Sequence, residues 1–483
     1  MKVVSVIFQA LFIVATVVIP EIPVLASTLQ QDLQHIFSKK VQAEWSVKVQ
    51  DADTGEEIFS LSPRRQLVPA SNMKVVVGAA GLLSLSPDFR YETSLYLSGQ
   101  QVGTVWDGHL IVLGSGDPTI GGRFTNGDTT LLFRQWADFL QQRNITSITG
   151  NVIGVDDIFD DTPHGLNWNP IDFIEWYAAE VSGLNFNDGC LDVTIHGGKG
   201  AGTPPSISTN PKTDYLKINS AVRTVASKNP GIQFKRDIGS DVLQISGTIN
   251  PRQSRLGNVT VPNPTAYFMT VLKETFEREG ITIHGLALDG DDISDTPDQS
   301  TWTLVNTYVS PPFIDILSIC LKRSQNLYAE HILKTIGARE YGVGSFETGV
   351  LAIKNILFRH GCDIDDQYIA DGSGLSRENR FSAEALACIL ETMYRSEYAE
   401  TFRDALATSG EDGTLRQRMR GTKAQGRVYG KTGTMKGIRS LSGYIYSMSG
   451  KVYIFSMISN SPSNIYTVRE MMDDACIAIV EKG

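Results

Sequence analysis

Apolar and polar side chains alternate from Trp45 to Val49 and again from Glu57 to Leu61, with a turn at Asp53-Thr54-Gly55 between them, so residues 43–61 are expected to form a β-hairpin. The pattern then changes. From Ser71 to Leu85, Val, Ala, Leu and Gly follow one another without clustered turn residues, which predicts a buried helix opening at Ser71. Between about Phe89 and Gln299, short extended stretches (Gly108 to Leu113, Gly150 to Val155, Leu191 to His196, Val242 to Gly247) are punctuated by Gly, Asp and Asn turns. Within that region Gly197 to Asn210 is rich in Gly, Pro, Ser and Thr, while Pro264 to Glu279 has helical spacing, which suggests one insertion nested in another. Helical patterns return in Pro311 to Ile336, Phe346 to His360 and Ser382 to Arg395. Three strands are expected at Gly426 to Gly430, Leu441 to Ser447 and Lys451 to Ile458, the last two joined at Ser449-Gly450, before a closing helix from Tyr466 to Val480. The hairpins at the two ends, with that helix, read as one mixed sheet covered by helices and split by the strand-rich insertion.

The chain has 483 residues, 41% hydrophobic and 20% charged, enough apolar material for a large core and length enough for about three domains or one enlarged domain. Its 43 Lys and Arg against 53 Asp and Glu give a net charge of -10 with no segregated basic patch, so nucleic-acid phosphates would be repelled. The five cysteines are scattered without a Cys-x-x-Cys pair, which argues against a zinc site and a disulfide framework, and the odd number leaves at least one thiol free. No two of the seven histidines lie at i, i+2 or i, i+4, so neither a metal nor a cofactor is expected. Lys2, a mostly apolar run from Val3 to Pro20 and small residues at Val24-Leu25-Ala26 read as a signal peptide, residues 1–26, cleaved near Ala26-Ser27. The run is short and broken by Pro20, Glu21 and Pro23, so no stable transmembrane anchor is expected, and the mature protein is placed outside the cytoplasm.

Only one serine is followed three positions later by lysine: Ser71-Asn72-Met73-Lys74, at the start of the expected buried helix. Positions i and i+3 share a helix face, so the Lys74 amine would sit beside the Ser71 hydroxyl, and burial that lowers its pKa would let the neutral amine take the serine proton. Ser324-Gln325-Asn326 lies in a helix-like segment, and Lys431-Thr432-Gly433-Thr434 directly follows the extended Gly426 to Gly430. A strand ending in Lys-Thr-Gly offers a cation, a hydroxyl and a residue without a side chain where a substrate must approach the backbone. Singly, each has a bland explanation as a helix cap, a loop or a strand-end turn; together and in this order they form a known set.

With these motifs the chain resembles the class C low-molecular-mass penicillin-binding proteins, serine-type D-alanyl-D-alanine carboxypeptidase/endopeptidases of peptidoglycan. The resemblance extends to Gly114-Ser115-Gly116-Asp117-Pro118, Leu184-Asn185-Phe186-Asn187-Asp188, Asp371-Gly372-Ser373-Gly374-Leu375-Ser376 and Gly413-Thr414-Leu415-Arg416. It also includes the wide gap between Ser71 and Ser324, where that family carries two extra domains. It implies an α/β (α+β) fold: a penicillin-binding, serine β-lactamase-like transpeptidase domain with two nested, strand-rich inserted domains. The expected partition is a catalytic domain at 27–88 and 300–483, an inserted domain II at 89–190 and 263–299, and an inserted domain III at 191–262.

The resemblance further implies that Ser71 attacks the carbonyl between two D-alanines and that Lys74 takes its proton. Ser324 would relay a proton to the leaving amine with Lys431 tuning it, and Asn326 would hold Lys74 and the substrate amide. The Ser71 and Thr434 N–H groups would form the oxyanion hole, and Thr432 and Thr434, beside Gly433, would meet the terminal carboxylate. Peptidoglycan stem peptides are the expected substrates and β-lactams the covalent inhibitors, in the periplasm or extracellular cell-wall space. Gln325 departs from the Asp usual there. Glu180-Val181-Ser182-Gly183-Leu184-Asn185 has one residue too many for the Glu-x-x-Leu-Asn of class A β-lactamases, so rapid release of a β-lactam is not implied. The alternatives are a β-lactamase or esterase of the same fold and a catalytically weak wall-binding or penicillin-sensing protein. Asp156 and Asp157, after the strand Gly150 to Val155, are the candidates to pair with the free ammonium of a diaminopimelate side chain.

Overall fold

The computed structural model describes residues 28–39, 41–294 and 297–483; the expected signal peptide lies outside them. A six-stranded antiparallel sheet joins the two ends of the chain in the order Ala407–Thr408, Val428–Met435, Ile438–Tyr446, Val452–Asn460, Glu44–Asp51, Glu57–Leu61. Val47 stands opposite Met457, and Gly443 opposite Phe455. Successive side chains of a strand point to opposite faces. On Val452–Asn460, Val452, Ile454 and Ile458 therefore enter one core and Tyr453, Phe455 and Met457 the other, and all nine residues are buried.

The second of these cores is closed by helices Leu29–Phe37 and Ile465–Lys482. The first helix presents an apolar stripe, Leu29, Leu33, Ile36 and Phe37 at i, i+4, i+7 and i+8, to this core, and it starts at a capping box in which Thr28 and Gln31 satisfy each other's backbone N–H groups. The opposite core is built around helix Met73–Leu85, surrounded by helices Phe313–Lys322, Asn326–Tyr341, Phe346–Arg359 and Ala383–Tyr394. Close approach requires glycine on the central helix. A Cβ on Gly78 would lie 2.8 Å from Leu317 Cδ1, and one on Gly81 would lie 2.8 Å from Phe313 Cζ and 2.9 Å from Ile332 Cγ2.

The expected helical stretch from Pro311 to Ile336 is two helices. Ser324, at φ 59°, interrupts the right-handed helical path and the chain restarts at Asn326. The strand expected to end at Gly430 instead runs on through Met435, so Lys431 to Thr434 lie within it.

The intervening chain forms a seven-stranded sheet, two three-stranded sheets and helices Leu131–Gln142 and Pro264–Arg278. Trp302–Val309 pairs with Glu92–Val102, so the chain leaves the seven-stranded sheet only after Val309, beyond the expected return near residue 299. One three-stranded sheet combines Lys217–Thr224, Gly231–Lys235 and Val242–Ile249; the other combines Cys190–His196, Ser206–Asn210 and Ser254–Thr260. The scattered cysteines contain one disulfide, Cys362–Cys388, with Cα atoms 5.8 Å apart, while Cys190, Cys320 and Cys476 are free and buried. No sequence spacing joins that pair; the loop after helix Phe346–Arg359, which carries Cys362, packs on the same core as helix Ala383–Tyr394, which carries Cys388.

Gly81→Val is expected to lower stability by about 1–3 kcal/mol through overpacking against Phe313 and Ile332, although valine is intrinsically the better helix former. Urea unfolding checks this, and an unchanged midpoint would show that the helices can move apart at no cost.

Candidate active site

Ser71 stands in a single 3-10 turn, Ala70–Asn72, at the entry of the central helix. Ala70 is held at φ 49°, unfavourable for a residue with a Cβ, and two glycines press on the turn. A Cβ on Gly374 would lie 1.9 Å from Ala70 O, and one on Gly433 would lie 2.6 Å from Pro69 O and 2.1 Å from Ser440 Oγ. The loop after Ile369 and the strand Val428–Met435 thus close on the serine from two sides.

Lys74, one turn further on, is fully buried. Its Nζ lies 3.2 Å from Ser71 Oγ, 2.7 Å from Asn326 Oδ1 and 2.6 Å from Ser373 O. The two carbonyl oxygens can only accept, whereas a hydroxyl can also donate. A neutral Lys74 amine therefore gives its two hydrogens to Asn326 and Ser373 and turns its lone pair to Ser71. Burial lowers the Lys74 pKa to about 8, with Cys320, Glu330 and Asp371 pulling it back up.

Asn326 and Ser373 are themselves fixed. Asn326 Nδ2 donates to Tyr177 O at 2.7 Å, so the inserted chain reaches the site directly. The Ser373 carbonyl is aimed by its loop: Glu330 accepts from Gly372 N at 2.7 Å and Ser373 N at 2.8 Å, and Asp371 accepts from Gly374 N, Ser376 N, Asn379 Nδ2 and Trp168 Nε1. Burial pushes the Glu330 carboxyl up, with Asp371 adding to the shift, against the opposing pull of these amides. Sequence reading assigned no role to Glu330, Asp371 or Ser373. The available signal was Glu330 at i+4 from Asn326, hence on the same helix face.

Across the cleft, Lys431 Nζ donates to Ser324 Oγ at 2.9 Å and to Thr432 O at 2.7 Å. Burial holds its pKa well below the usual lysine value, and the nearby Lys74 lowers it further. The left-handed Ser324 is what turns its hydroxyl out of the helical path toward this lysine. Residues Lys431 to Met435 pair on one side with Ile438–Tyr446, but the short strand Ala407–Thr408 reaches only Gly430 and Tyr429 on the other. Their outer edge is therefore open to a peptide that adds as another strand. Thr434 faces a cleft of 580 Å³ lined also by Ser71, Ser324, Asn326, Asp172 and Arg377. Thr432 Oγ1 donates to Thr414 Oγ1 at 2.8 Å, and Gly433 is buried against the Ser71 turn.

The structure does not bring Asp156 and Asp157 to that cleft. Asp156 accepts from Ser182 Oγ at 2.6 Å and Thr265 Oγ1 at 2.5 Å, and its carboxylate neighbours those of Asp289 and Asp291. Asp157 lines a separate hollow with Trp302 and Gly342. A strand-end position in sequence does not say which rim of the sheet faces the catalytic cleft. The carboxylate in the cleft is Asp172, which accepts from Tyr177 Oη at 3.0 Å.

Residues 29–478 match the D-Ala-D-Ala carboxypeptidase 3 (S13) family. The chain is 29% identical over 432 residues to a D-alanyl-D-alanine carboxypeptidase of Actinomadura sp. (strain R39), covering 86% of this chain and 78% of that protein. It is 26% identical over 404 residues to D-alanyl-D-alanine carboxypeptidase DacB of Haemophilus influenzae, covering 82% and 81%. The crystal structure of penicillin binding protein 4 (dacB) from H. influenzae has a TM-score of 0.80 at 22% identity, covering 94% of this chain and 99% of that one, which shows a shared fold.

Because Lys74 can accept a proton only when neutral, acylation of Ser71 by penicillin is expected to rise with pH and level off above an apparent pKa near 8. Stopped-flow acylation between pH 6 and 10 checks this; a flat profile would place the base elsewhere.

Proposed function

Because the chain belongs to the D-Ala-D-Ala carboxypeptidase 3 (S13) family, we propose that the Ser71 cleft is where this D-alanyl-D-alanine carboxypeptidase cleaves peptidoglycan stem peptides and cross-links through an acyl-enzyme. The observation that carries this reading is the pairing of Ser71 with a buried lysine whose other two partners are obligate acceptors, opposite a second buried lysine on Ser324. Neutral Lys74 takes the Ser71 proton as Oγ adds to the penultimate D-alanine carbonyl. The N–H groups of Ser71 and Thr434 receive the oxyanion, each worth about 3–4 kcal/mol. Ser324 relays a proton to the leaving amine and is reprotonated by the Lys431 ammonium that donates to it, and the C–N bond breaks. Water later hydrolyses the ester, its proton returning to Lys431 through Ser324 as Lys74 gives its proton back to Ser71. Thr432 and Thr434, with the Lys431 charge, hold the terminal carboxylate, and Gly433 keeps the strand clear of side chain at the serine.

Penicillin offers the same carbonyl and carboxylate, so it acylates Ser71. Its release needs a base for water, and the carboxylates of Asp172 in the cleft, Glu180 and Glu330 each already accept a hydrogen bond, Asp172 from Tyr177 Oη at 3.0 Å. Glu180 accepts from Asn263 N at 2.9 Å, and Glu330 holds the 372–373 amides. This favours a slowly hydrolysed adduct over a β-lactamase. No helix among the described residues is long and apolar enough to cross a membrane. The protein is read as exported, acting in the periplasm or cell-wall space where its substrate lies, with residues 89–190 and 263–299 as one inserted domain, extended to Val309 by the strand pairing, and 191–262 as the other.

Intact mass with penicillin is expected to show a persistent 1:1 adduct, mapped by peptide analysis to Ser71, in an enzyme that also releases D-alanine from a D-Ala-D-Ala peptide. Adduct at another serine, or release within seconds, would overturn the assignment. Lys74→Ala should slow acylation at least about a hundredfold, whereas Lys431→Ala should weaken mainly substrates with a free terminal carboxylate.

Asp172, half-buried beside the exposed Arg377, offers a carboxylate to a side-chain ammonium on the stem peptide. Asp172→Asn is expected to cut the preference for peptides with a free side-chain amine about fivefold to tenfold, read from kcat/KM on peptides with and without that amine.

A further inference from the structure

A second cavity, of 740 Å³, opens beside the Ser71 cleft and shares Trp176 and Arg323 with it. Its walls come from three parts of the chain. Arg323, Gln325 and Thr414 belong to the segments that carry the catalytic motifs; Arg123 and Asn187 come from the outer insertion; Asp192, Asn210 and Asn258 come from the inner one. It also begins where the proposed carboxylate site ends, because Thr414 on its wall accepts the hydrogen bond of Thr432.

We propose that this cavity receives the leaving half of a cross-linked substrate, the second stem peptide whose side-chain amine forms the scissile amide. The proposal rests on the acyl-enzyme reading above. In carboxypeptidase turnover the leaving group is free D-alanine, far smaller than this space. In a cross-link the leaving amine belongs to a second peptide. The group protonated from Ser324 then continues as a chain of amides and carboxylates, and that chain must run away from Ser71 past Thr432. The cavity chemistry suits it. Asn210 Oδ1 accepts from Thr129 Oγ1 at 3.1 Å and Asn258 Nδ2 donates to the wall's Asp192 at 2.5 Å, so these side chains are held in place. The remaining N–H and lone pair of each, with the Gln325 carboxamide, face the space as partners for peptide groups. Local charges are largely settled: Arg123 is paired with Asp188 and Lys322 with Asp412. Arg323, exposed at the junction, offers its guanidinium to a carboxylate entering from either side. Gln325, buried at 4% exposure, turns the middle position of the Ser-x-Asn motif into part of this wall. Bond changes are those of amide hydrolysis: Ser71 Oγ–C forms, C–N breaks, the proton passes to the leaving amine, and water later restores the serine.

The test uses Asn258, which lies on an exposed stretch of the strand Ser254–Thr260 and outside the catalytic groups. Asn258→Trp fills the cavity and Asn258→Ala removes one amide. Each variant is assayed on a monomeric pentapeptide, on a purified cross-linked peptide dimer, and for penicillin acylation. The expected result is a loss of kcat/KM on the dimer of tenfold or more for Asn258→Trp and threefold or more for Asn258→Ala, with pentapeptide turnover and acylation within twofold of wild type. If neither variant separates dimer from pentapeptide, or if wild type hydrolyses the pentapeptide and never the dimer, the cavity assignment is overturned while the Ser71 reading stands. Wild type that is not acylated at Ser71 would instead remove the premise.

Discussion

Burial of one lysine organises this molecule. An ammonium removed from water costs several kcal/mol even after relaxation, and the cost is tolerable only when its hydrogen-bond partners are already in position. Lys74 has three, drawn from the central helix, the Ser324–Asn326 turn and the loop at Ser373. Each partner has its own supports. Asn326 leans on Tyr177 O, and the Ser373 carbonyl is held through Glu330 and Asp371, the latter bonded to Trp168. The inserted chain is thus tied into the environment of the reactive amine, and its role reaches beyond decoration of the surface.

The second constraint is close approach. The Ser71 turn, the strand Val428–Met435 and the loop at Gly374 meet with backbone against backbone, and Gly374 and Gly433 permit it. The same strand stays unpaired at its outer edge because Ala407–Thr408 is short. An open edge is a hazard for aggregation elsewhere, but here it is confined to a few residues inside a cleft. Packing, edge and lysine pair together place a nucleophile, a base and a proton donor around one small space.

Much of this was legible along the chain. The terminal hairpins and the mostly apolar helix after Ser71 follow from spacing, since alternation and apolar runs report local burial, and the three motifs stand out as a known set in a known order. Other features were not. Helix Leu29–Phe37 does carry a stripe, Leu29, Leu33, Ile36 and Phe37, behind the Thr28 cap, but it spans only nine residues directly after the expected signal peptide, and the reading of the sequence omits it. The break at Ser324 is invisible in a helical pattern that continues on both sides, because a left-handed serine has no compositional mark. Glu330 and Ser373 act through hydrogen bonds to residues tens to hundreds of positions away, and Asp371 ties its own loop to the distant Trp168. Asp156 and Asp157 satisfied a plausible strand-end rule, yet Asp156 points to Ser182 and Thr265 in its own sheet region.

By itself, then, the sequence determined the local elements, the order of the chemical groups and the resemblance that orders them into one site, because those depend on neighbours a few residues apart. The pairings of Asn326 with Lys74 and of Lys431 with Ser324 came with the resemblance; only the tertiary structure decided that the Ser373 carbonyl completes the Lys74 set, that Asp172 lines the cleft, and that both insertions wall a second cavity beside it. These are long-range contacts. Their geometry is set by how helices and sheets pack around the shared core, and no periodicity in a single segment encodes it.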